Sequence, residues 1–128
     1  MTQNTKFCGG FAVVRDNDGE YHICPDGKPA YSERYDAVGD FDGGFAVVKN
    51  NGKYFHICTN GKPAYRGHFD NVGEFREGFA VVKNNGRYFH IRTNGKPAYR
   101  CHFDHVLDFY EGFAVVKITA NISTFVQM

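Results

Sequence analysis

The 128-residue chain has no tryptophan, only four prolines, and almost no charge excess, with 15 basic residues against 14 acidic for a net charge of +1. That balance offers no bulk attraction to nucleic acid or to an anionic membrane, so neither is expected as a partner. No run approaches the ~20 apolar residues of a membrane-spanning helix, and the opening MTQNTKFCGG lacks the apolar segment of a secretory signal. A cytoplasmic protein is the resulting expectation. Cys8, Cys24, Cys58 and Cys101 include no C-x-x-C pair, which predicts reduced thiols and not a disulfide framework. Also missing are a glycine-rich phosphate loop leading into a helix, a nucleophile motif, and any acid–base constellation that occurs only once. An enzyme is therefore not expected.

What the chain has instead is repetition. Gly-Phe-Ala-Val-Val stands at residues 10–14, 44–48, 78–82 and 112–116, a period of 34. Without gaps, residues 44–77 and 78–111 agree at 27 of 34 positions, and 10–43 agrees with 44–77 at 18 of 34. The chain reads as a single repeat domain over 1–128, with units at 10–43, 44–77 and 78–111 and a partial unit at 112–128. Phe7 is in phase with Phe41, Phe75 and Phe109, so the pattern starts ahead of the first marker, behind a frayed lead-in that ends near Lys6.

Each unit reads as two strands and a tight turn. Residues 45–49 and 54–58 are rich in Val, Phe, Tyr and Ile, which suit a pleated sheet. Asn51-Gly52 and Asn85-Gly86 between such runs predict type I′ hairpin turns, with Asp18-Gly19 serving the first unit one residue later. A second turn is expected at Asp26-Gly27, Asn60-Gly61 and Asn94-Gly95, leading into Gly-Lys-Pro-Ala-Tyr. Pro29, Pro63 and Pro97 cannot donate to a ladder and mark an edge strand or a strand's first residues. Tyr65, Phe69, Val72 and Arg76 follow a helical rhythm, but Gly67 and Gly73 oppose a helix, so a short strand or irregular connection is predicted. Strand alternation places Phe55 and Ile57 on a buried face, like Tyr21/Ile23 and Phe89/Ile91, with Tyr54, His56 and Cys58 on the other.

The expected fold is all-β: tandem 34-residue hairpin repeats in an open array over one continuous apolar face. The alternative is closure, as a trefoil-like barrel or a small propeller. The fourth unit stops after residues 118–128, which are expected to pair with 112–117 as a hairpin and cap the array, or else to mark a longer array cut short.

The pattern Phe-x-x-Gly-Phe-Ala-Val-Val, then Asn-Gly-Lys-Tyr-Phe-His-Ile, then Asn-Gly-Lys resembles the bacterial WG-repeat family over roughly residues 6–117. The Trp-Gly that names the family is absent; Tyr54-Phe55-His56 and Tyr88-Phe89-His90 stand where it would fall. The resemblance implies an all-β array used for binding and supplies no catalytic residues.

Two sets of recurring polar residues could carry chemistry. His22 and His56 each precede a cysteine by two, Cys24 and Cys58, while His90 precedes Arg92. Residues i and i+2 of a strand point the same way, so stacked His-x-Cys pairs could hold zinc, the one cofactor considered. The plainer alternative is that the imidazoles satisfy backbone groups that recur with the repeat. The second set is Lys28, Lys62 and Lys96 with Tyr31, Tyr65 and Tyr99, beside Arg66 and Arg100, a basic and aromatic stripe able to hold an acidic peptide, a glycan or a nucleic-acid strand. Acidic rows at Asp36/Asp70/Asp104 and Asp40/Glu74/Asp108 would pair with it or flank it. Duplication produces such rows automatically. A binding or scaffold module for a protein partner is the leading expectation, ahead of a metal-binding protein and a glycan- or cell-wall-binding module. Near-identical units also favour exchange between chains, which predicts a homo-oligomer using residues 112–128.

Overall fold

The computed structural model describes residues 10–119 and 122–127; Phe7, Cys8 and the rest of the lead-in lie outside them. In chain order the strands are β1 (Ala12–Asp16), β2 (Gly19–Ile23), β3 (Ala37–Val38), β4 (Phe45–Asn50), β5 (Lys53–Cys58), β6 (Asn71–Val72), β7 (Phe79–Asn84), β8 (Arg87–Arg92), β9 (His105–Val106), β10 (Phe113–Thr119) and β11 (Ile122–Gln127). There is no helix among the described residues.

Four antiparallel hairpins, β1–β2, β4–β5, β7–β8 and β10–β11, succeed one another along the chain. The last of them is the pairing of 112–117 with the chain's final residues that the sequence predicts. In the segment after each complete hairpin, Tyr35, Phe69 and Phe103 bridge to Glu20, Tyr54 and Tyr88 of the strand just left. The same segments then lay β3, β6 and β9 against β4, β7 and β10 of the next hairpin. This handover makes three-stranded sheets β3-β4-β5, β6-β7-β8 and β9-β10-β11. The array is open, with no closed barrel among the described residues.

The turns explain the register. Asn51 and Asn85 take φ of 53°, followed by Gly52 at 80° and Gly86 at 79°, the paired left-handed conformations of a type I′ turn. In the first hairpin the sequence expectation of Asp18-Gly19 is off by one. Asp16 pairs with Gly19, so Asn17-Asp18 form the turn at the same repeat position as the others. Gly19 is needed for another reason: a Cβ there would lie 2.4 Å from the Tyr35 carbonyl oxygen. A further turn, absent from the sequence expectation, joins the units. Glu77 and Glu111 adopt φ of 53° and 51° ahead of Gly78 and Gly112.

The expected split into one buried and one solvated face also needs correction. Phe55 and Ile57 are buried as predicted, together with Ala46 and Val48 of the paired strand, but so is His56, from the opposite face. The hairpins β4–β5 and β7–β8 are covered on both sides, because the next segment of the chain folds back across the second face. On the first face, the preceding unit supplies the cover: Tyr35 meets Phe55 edge-on at 5.8 Å and its hydroxyl donates to the Gly61 carbonyl at 2.5 Å.

Candidate functional site

The most ordered polar chemistry of the chain lies inside it. His22, His56 and His90 sit at matching positions of β2, β5 and β8 and are all buried. Nδ1 of each lies 2.5, 2.6 and 2.6 Å from the hydroxyl of Tyr31, Tyr65 and Tyr99. Nε2 lies 2.7, 2.8 and 2.8 Å from the carbonyl oxygens of Gly39, Gly73 and Leu107. A carbonyl only accepts, so Nε2 carries the proton and Nδ1 accepts from the phenol. Phe41, Phe75 and Phe109 lie against the three imidazoles at centroid distances of 4.3, 4.3 and 4.5 Å.

Such surroundings favour the uncharged forms. Burial lowers the pKa of all three histidines, His56 to about 4. The same burial raises the phenols of Tyr31, Tyr65 and Tyr99. At neutral pH the cluster is a neutral, fully hydrogen-bonded clasp from each hairpin to the segment after it.

This geometry bears on the zinc idea. Both ring nitrogens of His22, His56 and His90 are already engaged, and Cys24 and Cys58 are free, half-buried thiols. No group of three or more His, Cys, Asp or Glu side chains comes together as a metal site among the described residues. The residues as arranged do not fit a tetrahedral zinc centre, which needs free nitrogen lone pairs and four converging ligands.

The basic and aromatic stripe divides. Tyr31 and Tyr65 are buried at 7% exposure each and Tyr99 is half-buried, so the rings serve the histidine clasp and not the surface. Lys28, Lys62, Lys96, Arg66 and Arg100 remain exposed. The lysines are placed alike, because Asp26, Asn60 and Asn94 accept from their backbone N–H at 2.9, 3.0 and 2.9 Å in each second turn. Lys62 also meets Glu33 of the preceding unit at 3.3 Å. Two members of the first acidic row reach the next unit. Asp36 and Asp70 accept from the backbone N–H of Asn51 and Asn85 at the next hairpin's tip, and Asp42 pairs with Arg76 at 2.9 Å.

Only the fold brings Gly39, Gly73 and the three phenylalanines to the histidines. The tyrosines were legible: each stands nine residues after its histidine in every unit. A family model, the WG containing repeat, matches residues 25–54, 59–88 and 91–119. The chain belongs to this family. The matched segments run from the second turn of one unit into the hairpin of the next, the same handover that builds each three-stranded sheet. No curated protein matches the chain. Relative to the family's name, the chain departs at the Trp-Gly position, where Tyr54-Phe55-His56 places the histidine that the clasp requires.

Proposed function

We propose that this WG-repeat chain is a non-catalytic binding module that holds an acidic segment of a partner protein along Lys28, Lys62, Lys96, Arg66 and Arg100. The observation that carries this reading is the recurrence of exposed cations at fixed repeat positions, with each lysine's backbone held in the same turn. An extended acidic chain can meet such a row at successive points, and multiple weak ion pairs add where one exposed pair contributes at most about 1 kcal/mol. Burial of the tyrosine rings removes the stacking surface that motivated a glycan ligand, and occupied imidazoles remove the motive for a metal-binding role.

The test is capture of partners with the chain as bait, compared with a Lys28→Glu/Lys62→Glu/Lys96→Glu variant of unchanged circular dichroism. A partner set that is lost in the variant and weakens with added salt supports the proposal. Capture of the same set by both baits would sink it.

A further inference from the structure

Several left-handed turns of this chain hold a carboxylate from an earlier unit. At the hairpin tips, Asn51 and Asn85, each with φ of 53°, donate their N–H to Asp36 and Asp70 at 2.9 and 3.0 Å. The junction turn Glu111-Gly112 is held more completely. Glu77, 34 residues earlier, accepts from the N–H of Glu111 at 2.7 Å with one carboxylate oxygen and from that of Gly112 at 3.1 Å with the other. Successive N–H groups in a turn make a small concavity that suits an anion, and here a carboxylate fills it.

The preceding junction turn has the same shape and a different neighbour. Glu77 and Gly78 have φ of 53° and 85°, against 51° and 85° at Glu111 and Gly112. The residue one repeat before Glu77, from which the matching carboxylate would come, is Gly43. The N–H groups of Glu77 and Gly78 accordingly have no hydrogen-bond partner among the described residues, and both residues are exposed. The units are in side-chain reach of each other here as they are at the next junction, since Asp42 meets Arg76 at 2.9 Å. Arg76 comes directly before the turn and keeps its side chain 47% exposed while it meets Asp42 and Glu74. At Gly43-Gly44 the residue in that place is Asp42, whose carboxylate repels an anion. An acidic turn residue is no obstacle, because the occupied turn is itself built on Glu111.

We propose that the turn Glu77-Gly78 is a carboxylate-binding site, which takes an Asp or Glu side chain of a partner protein on its two N–H groups, in the geometry that Glu77 itself adopts on the next unit. Hydrogen bonds to an ionised acceptor are roughly twice as strong as neutral ones, and this turn presents two of them already aligned. The site is separate from the exposed lysine row and shares with that reading only the acidic nature of the ligand.

Amide resonances of the isotope-labelled full chain, followed as an end-blocked tetraglutamate peptide is added, test this against sodium chloride at matched ionic strength. Glu77 and Gly78 are expected to shift downfield to saturation, while Glu111 and Gly112, already occupied, stay in place. Gly43→Glu supplies within the chain the carboxylate that Glu77 gives to the next unit, at a φ of 61° close to those of Glu77 and Glu111. It is expected to weaken the response of Glu77 and Gly78 at least roughly tenfold. Glu77→Gly makes the reverse exchange, so Glu111 and Gly112 should begin to respond; this variant also serves should Gly43→Glu lose its strand circular dichroism. In the Lys28→Glu/Lys62→Glu/Lys96→Glu variant the response of Glu77 and Gly78 is expected to persist, whatever becomes of the lysine row. Equal shifts with chloride, no response at Glu77 and Gly78, a folded Gly43→Glu chain that responds like its parent, or silent Glu111 and Gly112 amides in Glu77→Gly would each overturn the proposal.

Discussion

The phenol of Tyr65 donates to Nδ1 of His56 at 2.6 Å while Nε2 of the same imidazole donates to the Gly73 carbonyl at 2.8 Å. One buried ring therefore ties together β5 and two points of the segment after it. The same clasp recurs at His22 and His90, so the repeat transmits a polar core as faithfully as its apolar one. Every buried side-chain nitrogen and oxygen among the described residues finds a partner. A satisfied network of this sort specifies one arrangement, because losing any member strands another in the interior.

Replacing Tyr65 by Phe keeps the ring and removes the donor, leaving Nδ1 of His56 without its partner. A loss of about 1–3 kcal/mol in unfolding free energy is expected. Tyr99→Phe should cost less, because Tyr99 is half-buried and water can reach the vacated position. Urea denaturation of both variants checks the order; equal losses would contradict it.

Stability should fall with acid through the histidines first. Unfolded imidazoles titrate near 6.5, whereas burial holds His56 at about 4 in the fold. The unfolded chain takes up the proton first, so the contribution is complete above about pH 6.5 and is lost as pH falls toward 4. For His56 alone the difference amounts to roughly 3 kcal/mol once both states are protonated. Burial also dominates at His22 and His90, but Asp40 and Glu20 near the first and Asp108 near the last favour the charged ring and offset part of it. His56→Phe should flatten the decline between these pH values more than His22→Phe does. Denaturation midpoints across that range give the answer, and parallel slopes would refute it.

Two glycines of equal conformation should respond differently to alanine. Gly52 and Gly61 have φ of 80° and 84°. A Cβ at Gly52 meets nothing within 4 Å, while one at Gly61 would lie 2.2 Å from the Tyr31 ring of the preceding unit. Gly52→Ala carries only the left-handed backbone cost of about 1–2 kcal/mol. Gly61→Ala adds about 1–3 kcal/mol of overpacking between units. Thermal unfolding of the pair should show the second clearly less stable; a reversal would mean the unit interface yields easily.

Zinc should leave the protein unchanged. With both nitrogens of each buried imidazole engaged, a metal could bind only by breaking the clasp. Thermal midpoints are expected to be the same with stoichiometric zinc and with chelator. A rise on adding zinc, abolished by His56→Ala/Cys58→Ala, would reinstate the His-x-Cys site.

The repeat made much of the architecture legible without coordinates. Asn51-Gly52 and Asn85-Gly86 placed the hairpin tips because few residues tolerate the paired positive φ such turns need. Asp26-Gly27, Asn60-Gly61 and Asn94-Gly95 placed the second turns for a related reason, the left-handed glycine that closes each one. The junction turns were hidden because Glu77 and Glu111 occupy left-handed positions that glutamate seldom takes, although Gly43-Gly44 at the same repeat position signalled the requirement.

Period and turn chemistry, both local properties, were enough to predict an all-β array of hairpins. They could not determine which faces are covered. Alternation along β5 sorts Phe55 and Ile57 from His56, yet whether the second sort meets water depends on where the next segment travels. The path of residues 65–75 buries His56 beneath Tyr65 and Phe75, turning an apparent ligand row into a core and an apparent aromatic stripe into its hydrogen-bond donors. The equivalent path in the third unit brings Leu107 and Tyr110 to the surface positions that Gly73 and Arg76 hold in the second.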